Sequence, residues 1–344
     1  MSLSTPRWWY LRGHRAGTLL RLVLTPASWV WAAATARCIA GGRRVDPGVP
    51  VICVGNLTLG GAGKTPVAAE ILRLLTERGI EAHALSRGHG GSQIGPLRVD
   101  AARQTSGEVG DEPLMLAKRF PAWIARDRAA GAVAAAAGGA EVIVMDDGHQ
   151  NGSVLKTLSL VVVDGETRDS EWPFGDGHVF PAGPMREPLT AGLARADAVI
   201  LLMPAGLAAP DPELTALFGA TPVLIARLEP VRPPPPGPQL GFAGVGKPWK
   251  VERALKAARC DLVEFVPLPD HARLDEDLLR RLADRASDFQ AGLVTTEKDW
   301  ARLPPAWRER IAAWPVRARF EDEAALERLL TQVVASARQP MSER

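Results

Sequence analysis

The chain has 344 residues, 46% of them apolar and 23% charged, with a formal net charge of +2. That length suits one large or two ordinary globular domains with a substantial core, and the near-neutral balance gives no global case for a nucleic-acid partner. The three cysteines, Cys38, Cys53 and Cys260, are scattered without metal spacing, which excludes a cysteine-based metal centre and fits a reducing compartment.

The charge is unevenly placed. Residues 1–45 carry seven Arg and no Asp or Glu, and they hold four of the ten Trp. Arg21 and Arg37 are separated by only 15 residues, Pro26 among them, short of the ~20 that a spanning helix needs. A cleaved signal peptide is disfavoured because a nucleotide-binding loop follows almost at once and no small-residue cleavage site precedes it. The expectation is an interfacial helix over residues 1–44, Trp at headgroup depth and Arg against anionic lipid. A helix packed on the protein's own core is the alternative.

The stretch VPVICVGNLTLGGAGKTPVAAE, residues 49–70, runs from an apolar strand through a glycine-rich turn into an amphipathic helix. That is the layout of a P-loop. Thr58, Leu59, Gly60, Gly61, Ala62, Gly63, Lys64 and Thr65 would wrap a triphosphate, Lys64 reaching the β/γ-phosphates and Thr65 holding Mg²⁺. Thr58 stands where the usual spacing asks for Gly. A helix follows over Val67–Arg78, then a strand over Glu81–Leu85 and a loop, SRGHGG, at its carboxyl end. Arg87 there is either a phosphate contact or a plain loop arginine. In Gly110-Asp111-Glu112-Pro113 the two carboxylates are either a helix N-cap or a metal ligand beside a general base. Residues Ala122–Gly139 read as one alanine-rich helix.

Glu141–Asp147 is an apolar strand ending in two aspartates, the form of a Walker B strand. A strand at Leu158–Asp164 precedes a long loop through Arg186. Such loops, beyond ~12–15 residues, tend to be functional. Arg186 is open to two readings, a clamp on a transferring phosphoryl group or a salt bridge with Glu187 or another neighbour. Strands are expected at Ala198–Met203 and Thr221–Leu228. A proline-crowded connector, residues 230–238, then divides a P-loop domain (45–229) from a smaller α/β domain (239–344) whose C-terminal end returns. In that smaller domain Gly244-Val245-Gly246-Lys247-Pro248 mimics a second P-loop, but Pro occupies the Ser/Thr position and the reading fails.

Taken together, VGNLTLGGAGKTP, LSRGHGG, VGDEP, DDGHQN, FPAGPMREP, FAGVGKP, PDH and TTEKD, in this order, resemble the tetraacyldisaccharide 4'-kinases, the lipid A 4'-kinases of Gram-negative bacteria. The resemblance implies a P-loop NTPase-type, mainly parallel α/β sheet flanked by helices, with a smaller α/β domain. It implies transfer of the ATP γ-phosphate to the 4'-hydroxyl of a tetraacyldisaccharide 1-phosphate at the cytoplasmic face of the inner membrane, by a monomer. By motif, Asp111 matches the family's catalytic acidic residue, which would accept the sugar hydroxyl proton, and His271 its dyad partner. Lys64, Asp147 and Arg186 complete the catalytic set; Thr65, Glu112 and Asp146 would serve Mg²⁺, and Gln150 would order the site. The pairing of Asp111 with His271 is expected to need the small domain to close on the large one. One departure is visible: the family pattern D-D-G-[FY]-Q-H is here Asp146-Asp147-Gly148-His149-Gln150-Asn151. Two rivals remain, a GTPase or ATPase acting as switch or metallochaperone, and a nucleotide-binding scaffold. Neither accounts for carboxylates gathered from separate segments, which phosphoryl transfer requires.

Overall fold

In the computed structural model, residues 6–13, 15–41 and 43–338 are described. The strands are β1 (Val51–Gly55), β2 (Ala82–Ser86), β3 (Leu97–Arg98), β4 (Ala122–Ile124), β5 (Val142–Asp146), β6 (Leu158–Asp164), β7 (Ala198–Met203), β8 (Val223–Pro230), β9 (Gln239–Ala243), β10 (Leu262–Pro267), β11 (Gly292–Thr296), β12 (Ile311–Trp314) and β13 (Val316–Phe320). They form a nine-stranded sheet in the order β13-β8-β7-β6-β1-β5-β2-β4-β3 and a four-stranded sheet in the order β10-β9-β11-β12. The small sheet is parallel throughout. The large one is parallel except where β13 meets β8 and β3 meets β4, at its two edges. Buried parallel strands lack polar alternation: β1, β5, β6 and β7 are buried at every position. After β12 the chain returns to the large sheet. β13 pairs with β8, and Leu326, Leu330 and Val333 of the last helix join the same core as Val67, Ile71 and Leu75 of α2 (Lys64–Glu77).

β5 lies directly between β1 and β2, with Val54 of β1 in register with Asp146 of β5. The Walker-type aspartate therefore stands beside the start of the P-loop. Ligands of open α/β sheets sit at this carboxyl edge.

Two sequence expectations need correction. Ala122–Ile124 is a strand, and the alanine-rich helix begins only at Arg128, after Asp127 caps it through the N–H groups of Ala129 and Ala130. The N-terminal helix α1 spans Arg15–Ala40 with Pro26 inside it. Arg21 does not break its apolar run, because the guanidinium is buried and paired with Asp176. By length and composition α1 is able to cross a membrane, a test that core helices and signal sequences also pass. It is not a core helix: Leu19, Leu22, Val23, Trp29 and Val30 are each 68–73% exposed.

Gly55, at the end of β1, fits closely against the loop after β5. A Cβ there would lie 2.4 Å from the Cβ of His149 and 2.9 Å from its backbone nitrogen. Gly55→Ala should therefore lower unfolding free energy by about 1–3 kcal/mol or more, as overpacking does. Urea titration measures it, and an unchanged midpoint would contradict this packing.

Candidate active site

The P-loop leaves β1 at Asn56 and enters α2 at Lys64, with Gly60 at φ +87° and Gly63 at φ +81°, left-handed values that glycine adopts without strain. Thr58 needs no such freedom. It forms an isolated antiparallel bridge with Met185, and its carbonyl accepts from Arg186 Nε at 3.0 Å and from Asn56 Nδ2 at 2.7 Å. Among the described residues the N–H groups of Gly60, Gly61, Ala62 and Gly63 make no hydrogen bond, which leaves them available to phosphate oxygens.

Lys64 Nζ lies 3.2 Å from Asn56 Oδ1 and 3.5 Å from Asp147 Oδ1. Burial pushes its ammonium pKa down, against the opposing pull of Asp147. Thr65 Oγ1 donates to Asp146 Oδ2 at 2.9 Å, while Asp146 Oδ1 is buried without a hydrogen-bond partner. Burial raises the Asp146 carboxyl to about 6, with Lys64 opposing. A threonine hydroxyl beside an unsatisfied buried carboxylate oxygen suits a hard divalent cation. Among the described residues no group of three or more His, Cys, Asp or Glu side chains converges as a ligand cluster.

Asp147, at φ +57°, receives Arg186 in a two-pronged contact of 2.8 and 3.1 Å. Burial would raise its pKa, but Lys64 and Arg186 hold it well below the usual carboxylate range. Of the two readings for Arg186, the salt bridge is present, to Asp147 instead of Glu187. Glu187 is taken by Arg195 at 2.7 Å. Gln150 ties this group together, donating to the Asn56 carbonyl at 2.9 Å and to Glu187 at 3.0 Å.

Asp111 and Glu112 open the helix Asp111–Ala117, after Gly110 at φ +93°. They do not cap it. His271 Nδ1 donates to Asp111 Oδ2 at 2.8 Å, and Arg302 lies 3.6 Å from the same oxygen. The pairing is present without any further closure of the two sheets. His271 sits at φ +57°, and its pKa is raised, first by the bond to Asp111. Lys298 Nζ pairs with Glu112 Oε1 at 2.8 Å and lies 3.4 Å from His271 Nε2. Although burial would raise the Glu112 pKa, Lys298 holds it down. His89, exposed in the SRGHGG loop, packs edge-on against His271 at 5.7 Å. Arg87 is exposed.

Sequence reasoning missed the roles of Asn56, Lys298 and Arg302. The TTEKD stretch was visible, but its use was not. Asp299 is fully buried, accepting from the Gly244 N–H at 2.9 Å and Thr296 Oγ1 at 2.8 Å, which presents Lys298 and Arg302 toward the two carboxylates.

Against known proteins, the chain matches the LpxK family, tetraacyldisaccharide-1-P 4'-kinase, over residues 20–335. The tetraacyldisaccharide 4'-kinase of Phenylobacterium zucineum is 68% identical over 327 residues, 95% of this chain and 98% of that one. That of Caulobacter sp. strain K31 is 65% identical over 333 residues, 97% and 99% of the two chains. A crystal structure of LpxK from Aquifex aeolicus in complex with ATP superposes with a TM-score of 0.70 at 25% identity, covering 92% of this chain and 99% of that one.

Because the Asp111 bond is the largest cause of the raised His271 pKa, Asp111→Asn should lower it toward or below the ordinary imidazole range. An NMR titration of the His271 ring follows this shift. The sign carries to folding: a histidine with raised folded pKa stabilises most at low pH and loses that contribution as pH rises through its folded pKa. The stability gap between wild type and His271→Asn should accordingly narrow on going from mildly acidic to alkaline pH. A gap that widens would reverse the assignment.

Proposed function

The chain belongs to the tetraacyldisaccharide-1-P 4'-kinase family, and from that premise we propose how its residues divide the work of an ATP-dependent lipid A 4'-kinase. The triphosphate lies over Thr58–Thr65. Lys64 and the free N–H groups of the loop hold its β/γ-phosphates. Asp111 accepts the proton of the sugar 4'-hydroxyl as that oxygen attacks the γ-phosphorus, and His271 holds Asp111 by the Nδ1–H bond. Arg302, 3.6 Å from the same Oδ2, helps hold the carboxylate in place. Asp147 fixes Lys64 on one side and Arg186 on the other, so that two cations face the charge developing on the transferred group.

Thr65 and Asp146 would hold Mg²⁺, with Glu112 adding negative charge nearby. Bound there, Mg²⁺ would supply positive charge against the phosphate oxygens. The observation that carries this reading is geometric: His271 bonds Asp111 at 2.8 Å, its own backbone N–H donates to the Gly244 carbonyl at 3.3 Å, and Gly246 of that loop lies so near the P-loop that a Cβ on it would sit 2.7 Å from the Gly61 nitrogen. The acceptor-side pair is thereby tied to the loop that abuts the nucleotide side. A switch or scaffold gains nothing from that arrangement.

The two sheets support a division into a P-loop kinase domain, residues 45–229, and a smaller domain from residue 239 after the proline-rich connector, its last strand and helix returning to the large sheet. The exposed apolar side of α1 supports peripheral attachment to the cytoplasmic face of the inner membrane, where the lipid acceptor resides. The working form is a monomer.

Incubation with labelled ATP and a tetraacyldisaccharide monophosphate should place label in a bis-phosphorylated lipid. Lys64→Ala, Asp111→Ala and His271→Ala should each stay folded by circular dichroism, and Asp111→Ala should lose on the order of 10²–10⁴-fold in rate. Near-normal turnover in that variant removes Asp111 as the base. Flotation with anionic vesicles tests the membrane reading. Val30→Glu on α1 should cut vesicle binding while leaving ATP binding intact; equal flotation of wild type and variant would count against attachment through this face.

A further inference from the structure

We propose that Tyr10 is a positioning residue for nucleotide, clamping the P-loop and the Gly244–Pro248 loop against each other. The inference rests on the reading that the phosphates of ATP lie over Gly60–Thr65. Tyr10 is the chain's one tyrosine and is only 2% exposed. It belongs to none of the kinase motifs, yet it touches three loops around the site. Its hydroxyl donates to the carbonyl of Leu59, inside the P-loop. The Leu59 N–H donates to the Pro184 carbonyl at 2.7 Å, so both backbone polar groups of Leu59 are fixed immediately before the N–H groups that remain free for phosphate.

The ring of Tyr10 has a second function. Lys247 Nζ lies 4.1 Å from its centroid and 2.7 Å from Asp164 Oδ2, a cation held between a π-face and a buried carboxylate. The preceding residue, Gly246, lies so close to the P-loop that a Cβ on it would sit 2.7 Å from the Gly61 nitrogen. Tyr10 thus fixes one loop through its hydroxyl and the other through its ring. Its own backbone is held from the far side, where its carbonyl accepts from the Trp172 N–H at 2.6 Å and Arg12 N–H donates to Ser170 at 3.0 Å. The sequence GVGKP, unable to bind phosphate as a P-loop, buttresses the one that does.

The test is ATP binding and steady-state kinetics on the full-length chain. Tyr10→Phe keeps the ring over Lys247 and removes the hydroxyl's bond to Leu59. It should raise the Kd and KM for ATP by roughly three- to tenfold, with kcat and the lipid KM unchanged. Tyr10→Leu, which loses both contacts, should weaken ATP further. A merely structural role would instead lower the thermal midpoint and leave the ATP affinity of the folded fraction alone. Unchanged ATP affinity in a folded Tyr10→Phe overturns the proposal. If that variant does not fold, Gly246→Ala decides: it leaves Tyr10 in place, crowds Gly61, and should weaken ATP without altering the lipid KM. Unchanged ATP affinity there overturns the proposal equally. Wild type failing to bind ATP would instead sink the nucleotide reading on which it rests.

Discussion

Two adjacent carboxylates at the start of one short helix tie the two sheets together. Asp111 takes His271, which follows β10, and Arg302, while Glu112 takes Lys298, the last two from the segment after β11. A second tie lies at the end of β6, where buried Asp164 receives both Lys247 and Lys250. Desolvating so many charges offsets most of their attraction, so such pairs add little net stability, while breaking one would strand a buried charge. Their effect is orientational. With both ties made, the carboxyl ends of β1, β5 and β6, which point the same way because these strands are parallel, face the loops of the smaller sheet across the P-loop. The phosphate site, the candidate base and the histidine that holds it follow from that constraint.

What the sequence made legible was what depends on neighbours along the chain. The strands at Val51, Leu158 and Ala198 were plain because buried parallel strands are unbroken apolar runs. The P-loop was plain because strand, glycines, lysine and helix must be contiguous. Ala122–Ile124 was not, because a three-residue strand has too little pattern to stand out from the alanine-rich helix after it. Ile311–Trp314 escaped for the same reason. The partners of charged groups were hidden for a different one. Arg21 looked like the end of an apolar stretch, yet the aspartate that takes it inward is 155 residues away. Lys298, Lys247 and Arg186 each answer a carboxylate on another segment, and no local signal records which one.

The departure at His149 and Asn151 has a packing explanation. His149 is buried against Gly55, donating from Nε2 to the Gly192 carbonyl at 2.9 Å and accepting at Nδ1 from Ser159 at 3.2 Å. Burial pushes its pKa down, so it serves as a neutral, fully bonded ring that fills an aromatic slot. Asn151 accepts from the N–H and hydroxyl of Ser153 and closes the turn that follows. The imidazole is spent on packing and the amide on backbone geometry.

The position of α1 completes the physical logic. Ser28 bonds to Val179 and Ala182, and Trp31 Nε1 donates to the Arg186 carbonyl at 3.2 Å, so the helix stands on the long loop after β6. The other side of that loop is bound to the P-loop through Leu59–Pro184 and to the catalytic edge through Arg186–Asp147. One loop thus carries both an exposed apolar helix and a wall of the phosphate site. For an acceptor whose acyl chains cost ~0.8 kcal/mol per CH₂ to expose to water, that spacing matters more than affinity. On the proposed membrane-bound reading, the headgroup would meet the γ-phosphate while the chains stay in hydrocarbon, and the lipid would not have to be extracted to be phosphorylated.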